Sequence, residues 1–137
     1  LINLHQAIAE IGGSPVPRLT PSDITSAAFD GTSPHCHAAI DAFCAFLGAV
    51  AGDMALTFGA RGGVYIGGGI VPRFVQHLGR SSFREQFVAK GRLRPQLEPM
   101  VIEAVLDPAI GSFSAACRAS SKASSAPISR VRGAICG

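Results

Sequence analysis

Leu1, Leu4, Ala7, Ile8 and Ile11 recur at helical spacing and Gly12-Gly13 stop the run, which predicts a short amphipathic helix at the start of the chain. Ser14-Pro15-Val16-Pro17 reads as a stiff connector. Thr20-Pro21-Ser22-Asp23 offers a helix start with proline in the first turn, so a second short helix is expected over 21–29. Asp30-Gly31-Thr32-Ser33-Pro34 has turn chemistry. The longest helix is expected over 34–59, with two stripes. Ile40, Phe43, Leu47, Val50, Met54 and Phe58 make a large apolar face. Asp41, Ala45, Gly48, Gly52, Ala55 and Gly59 make a second stripe of mostly small residues. Glycine inside a helix costs about 1 kcal/mol relative to alanine, so two on one stripe predict another backbone packed closely against it.

Beyond that helix, 63–67 reads as a strand buried on both sides, because it lacks polar alternation. A helix is expected over 70–78 with Pro72 in its first turn, where the missing N–H costs nothing. Ser81 or Ser82 caps a further segment over 83–89, which Lys90-Gly91-Arg92 ends. A second apolar strand is expected over 100–106, and Asp107-Pro108 start a last helix to about Arg118. This order describes an α/β architecture with parallel strands. Two strands do not make a stable sheet alone, so further strands are expected from elsewhere. The chain also starts on Leu1, directly on a periodic segment, which suggests an incomplete chain.

The stretch GARGGVYIGGGIVPRF, residues 59–74, sets six glycines around the first strand. Gly67-Gly68-Gly69 lie where the strand hands over to a helix, at the edge where open α/β sheets bind ligands. Backbone without Cβ atoms admits the close approach of a flat adenine or a ribose. The helix start at Ile70 to Arg73 adds unpaired N–H groups. A purely structural role, a tight turn with close helix–sheet packing, explains the same glycines equally well. Gly62-Gly63 are assigned to a helix stop followed by a turn.

Composition narrows the partners. Hydrophobic residues make up 47% and charged residues 15% of the 137 positions, a globular balance for one domain. The net charge is +3, but Arg118, Lys122, Arg130 and Arg132 sit in the last twenty positions without an acidic neighbour. Residues 1–117 carry 8 Lys+Arg against 9 Asp+Glu, a net of −1, so charge gives no argument for nucleic acid. Lys90, Arg92 and Arg94 form a small basic cluster, expected to be a solvated face. The four cysteines include no CxxC pair, which favours reduced thiols and a cytoplasmic setting. The apolar run 38–60 is interrupted by Asp41, Gly48, Gly52 and Asp53, and is expected to be a buried helix and no membrane span. His35-Cys36-His37 invites a metal reading, but residues one and two apart on a helix do not converge, so no metal ligands are assigned. Residues 119–137, rich in Ser and Ala, read as a flexible basic tail, with a shifted or foreign C-terminus as the alternative.

The strings FCAFLGAVAGDMALTFGARGGVYIGGGIVPRF, over 43–74, and SSFREQFVAKGR, over 81–92, resemble the C-terminal portion of bacterial ATP-dependent glucokinases. The resemblance runs from about Leu1 to about Leu106 and decays over Ile110 to Ala116. It implies an actin-like, RNase H-fold sugar kinase, with residues 1–118 as part of the larger C-terminal domain. It also implies that Gly67, Gly68, Gly69 and Ile70 face the adenosine of ATP. The family's phosphate loop, catalytic aspartate and sugar-binding Glu-x-x-His pair have no counterpart here, so no catalytic or sugar-binding residue is assigned. ATP and Mg2+ are the implied cofactors, with the magnesium ligands outside this chain. D-glucose, a missing N-terminal domain and a homodimer are the implied partners. A non-catalytic, partner-binding module or a degenerate pseudo-kinase fragment is the competing reading.

Overall fold

The computed structural model describes residues 1–13, 17–68 and 71–105. Its elements are α1 (Ile2–Ile11), α2 (Pro21–Phe29), α3 (Pro34–Thr57), β1 (Val64–Gly67), α4 (Val71–Leu78), α5 (Phe83–Val88), a 3-10 turn (Gly91–Leu93), α6 (Arg94–Leu97) and β2 (Ile102–Val105). The expected helix from Asp107 and the tail over 119–137 lie outside the described residues.

Local chemistry sets most of the boundaries. Thr20 caps α2 through a reciprocal pair: its hydroxyl accepts from the Asp23 N–H at 3.3 Å, and the Asp23 carboxylate accepts from the Thr20 N–H at 3.2 Å. Ser33 caps α3, with Pro34 in its first turn. The end of α3 is a Schellman stop: the Ala60 N–H donates to the Ala55 carbonyl at 2.9 Å, the Gly59 N–H donates to Leu56, and Gly59 takes φ +58. Gly59 is therefore the helix stop that the sequence assigned to Gly62-Gly63. Gly63 does something else. At φ +116 its missing Cβ leaves room for the Val101 carbonyl oxygen, 2.8 Å from where that atom would stand, as β1 meets the approach to β2. Ser81, and not Ser82, supports the start of α5, accepting from the Phe83 N–H at 3.3 Å. The turn Gly91–Leu93 and the single-turn α6 carry too short a pattern to be foreseen.

α3 is the central helix and packs against α1, α2 and α5. It is long and apolar enough to cross a membrane by length and composition alone. In this fold, however, Cys36, Ala39, Ile40, Cys44, Gly48, Gly52 and Ala55 are buried along one side. The small stripe thus faces the core, with α5 laid directly on it: a Cβ on Gly48 would collide with the Phe83 carbonyl, and one on Gly52 with the Phe87 carbonyl. The large apolar stripe stays against the core over its first half and turns away over its second. Ile40 is buried, Phe43 and Leu47 are half-buried, and Val50, Met54 and Phe58 are exposed. A helix axis can approach closely only over small residues, so the contact with α5 selects the glycine stripe. On α1, too, the buried line is His5 and Ala9, with Leu4 and Ile8 half-buried and Ile11 exposed.

β1 and β2 run parallel, with Val64 opposite Ile102 and Gly67 opposite Val105. Ile66, Ile102 and Ala104 join the core with Phe74, Leu78, Phe83, Phe87 and Leu97. The expectation that β1 is buried on both faces fails at Tyr65, which is 62% exposed. Among the described residues β1 alternates like a half-covered strand, with Ile66 buried and Tyr65 and Gly67 exposed.

Candidate functional site

The carboxyl ends of β1 and β2 lie side by side, with Gly67 opposite Val105. Gly67 is exposed. The Gly68 carbonyl accepts from the Val71 N–H at 3.2 Å, and Gly68 takes φ +139, a conformation L side chains rarely adopt. Nothing approaches within 4 Å of the position a Cβ on Gly68 would occupy. The turn needs glycine for its backbone angle, and the bare face beside it is open. Gly69 and Ile70 lie outside the described residues. α4 begins at Val71, with Pro72 in its first turn.

A separate cleft of about 540 Å³ opens where α3 ends, walled by Ala55, Gly59, Arg61, Gln96 and Met100 among others. Neither Gly67 nor Gly68 forms part of its wall.

The basic cluster proves to be partly structural. Lys90 extends along α3, donating to the Ala49 carbonyl at 2.9 Å and pairing with Asp53 at 2.7 Å, with its side chain mostly covered. Arg94 pairs with Glu98 one turn along α6. Arg84, outside the cluster, pins α5 to the approach to β2 by donating to the Met100 carbonyl at 3.0 Å.

Cys36 and Cys44 are buried free thiols, and burial pushes the Cys44 thiol up from its ordinary pKa. His37 turns away from Cys36 to a partnership the local sequence did not reveal: its Nδ1 lies 3.0 Å from Asp41, whose other carboxylate oxygen meets His77 Nε2 at 2.6 Å. The first pairing is one helical turn, but the second spans 36 positions and becomes visible only when α4 docks on α3.

Comparison with known proteins gives this arrangement a family. The glucokinase family model matches residues 1–122. The chain belongs to the glucokinase family. Among its relatives, the glucokinase of Cupriavidus metallidurans is 54% identical over 95 residues, covering 68% of this chain and 28% of that protein. The glucokinase of Marinobacter nauticus is 45% identical over 116 residues, covering 85% of this chain and 36% of that protein. The crystal structure of a glucokinase from an Antarctic psychrotroph superimposes with a TM-score of 0.75 at 34% identity, over 88% of this chain and 38% of that one. The chain therefore spans about a third of the length of these glucokinases.

Magnesium binds through oxygen ligands in near-octahedral geometry. Among the described residues the one convergent group of metal-type ligands is His37, Asp41 and His77, and two imidazoles make it too nitrogen-rich for an ion that demands oxygen donors.

Proposed function

We propose that this chain is the C-terminal part of an ATP-dependent glucokinase that converts ATP and D-glucose to ADP and glucose 6-phosphate in the cytoplasm. Its contribution is the adenosine side of the nucleotide cleft, within the larger domain of an actin-like sugar-kinase fold. The observation that carries this reading is the Gly67-Gly68 turn: bare, exposed backbone at the carboxyl edge of a parallel strand pair, opening into a helix. Gly69 and Ile70 complete the same contact in this reading. A purine or ribose needs a surface of this kind, because a Cβ at Gly68 would stand between the ligand and the main chain.

This part of the molecule binds and orients; it does not transfer the phosphoryl group. In the complete enzyme a carboxylate takes the proton of the sugar 6-hydroxyl, and positioning with charge stabilisation supplies most of the rate. Those groups and the magnesium ligands belong to the preceding domain. The isolated chain is accordingly inactive.

The experiment is a graft. Residues 1–105 replace the matching segment of a full-length glucokinase, and ATP-dependent glucose phosphorylation is measured. Turnover close to that of the parent supports the reading, and a folded but inactive chimera contradicts it.

A second reading draws on the exposed Phe46, Val50, Met54 and Phe58 along α3. Such a row suits a non-catalytic, partner-binding module, or a homodimer of the whole enzyme. A folded chain that associates at micromolar concentration and leaves a glucokinase chimera inactive would favour it.

A further inference from the structure

We propose that His37, Asp41 and His77 form a binding site for a divalent transition-metal ion of the zinc class, joining α3 to the far end of α4. His37 and Asp41 stand one turn apart on α3, and His77 lies in the last turn of α4. Their donor atoms all fall within 4.8 Å of one another. The two closest approaches are 2.6 Å and 3.0 Å, both onto Asp41. Ligands of a tetrahedral zinc ion sit roughly 3.3 Å apart, as follows from metal–ligand distances near 2.0–2.2 Å. Small rotations of side chains already in place would bring the three to that spacing.

The surroundings favour a held but reachable ion. The two imidazoles meet edge-on, with centroids 5.4 Å apart and planes at 88°, and the Phe29 ring stands 5.7 Å from His77. His77 is mostly covered, whereas His37 is half exposed, which leaves an open fourth position for water. Two imidazole nitrogens with one carboxylate oxygen suit zinc, and do not suit magnesium or calcium. Arg73 and Arg80 line the groove on the His77 side, and their charge opposes a cation; only the Asp41 carboxylate offsets it within the ligand set. Affinity therefore falls below that of thiolate sites.

Without an ion, each imidazole can donate a ring proton to one oxygen of Asp41, which holds the ligands together in advance. On binding, that proton leaves His37 Nδ1 and His77 Nε2, for the other ring nitrogen or for solvent, and the freed lone pairs take the metal. None of this uses the glycine turn, which lies at the opposite end of α4.

The test titrates the purified 137-residue chain with Co2+ at neutral pH and follows its visible ligand-field absorption, with Zn2+ as competitor. Saturable near-tetrahedral absorption, displaced by Zn2+, is expected. His77→Gln should abolish it, and His37→Gln should weaken binding by at least roughly tenfold, a loss typical of damage to a metal's ligand environment. At the same concentration Zn2+ should raise the melting temperature of the wild type most, that of His37→Gln less and that of His77→Gln not at all, and Mg2+ should raise none. His37 is exposed enough that its variant folds, which circular dichroism checks. Absence of saturable absorption overturns the proposal. Unchanged affinity in His37→Gln also overturns it, by placing the ion elsewhere, such as on Cys117 or Cys136.

Discussion

The main-chain carbonyl of Phe87 occupies the space into which a side chain on Gly52 would project, with the Lys90 side chain beside it. The same holds one turn earlier for Gly48 and the Phe83 carbonyl. These two contacts set how closely α5 lies on α3. Gly52→Leu should therefore destabilise the fold by overpacking, by roughly 1–3 kcal/mol or more. Urea unfolding of the variant checks this. A midpoint equal to wild type would mean that the two helices do not meet along this stripe.

Lys90 closes the same contact from its outer side. Lys90→Met keeps the aliphatic stem but loses the bonds to the Ala49 carbonyl and to Asp53. Asp53 is exposed, so the ion pair itself contributes little, and the bond to the partly buried carbonyl contributes more. A loss of about 1 kcal/mol is expected, measured by thermal unfolding at low and high salt. Most of that loss should persist at high salt, where exposed pairs are screened.

At the start of α2, hydrogen bonds from the Thr20 hydroxyl and then the Thr20 N–H hold the Asp23 carboxyl below its ordinary value of 3.8. A carboxylate depressed on folding contributes stability that is fully present above its unfolded pKa and is lost as pH falls through its folded one. Melting temperature should thus fall from about pH 4 downward, and Asp23→Asn should flatten that part of the profile. Identical acid limbs in the two proteins would show that the carboxylate contributes nothing.

Much of this fold is legible locally. Thr20 with Asp23, and Ser33 before Pro34, carry their caps in adjacent residues, and the structure places both helix starts there. Gly48 and Gly52 announce a close backbone partner without naming it, and α5 is that partner. The direction of a face is harder to foresee. Val50, Met54 and Phe58 form the more hydrophobic stripe of α3 and yet are exposed, because the choice of buried face depends on which neighbour can come nearest. Tyr65 misleads in a similar way, since four residues are too few for alternation to register. In the glycine stretch, residue type fixed a need for freedom but not its use: Gly59 ends a helix, Gly63 lets a strand approach, and Gly68 makes a turn. The His37, Asp41 and His77 cluster could not be read at all, because its third member arrives from a different helix.

In the proposed reading, the turn after β1 contacts the nucleotide. The most direct test of this is the KM for ATP and for glucose of a full-length glucokinase carrying the equivalent of Gly68→Val, with circular dichroism to establish that the variant is folded. A raised KM for ATP with little change for glucose is the predicted result. An unchanged KM for ATP in the folded variant would contradict the account, and would leave the glycines a structural turn.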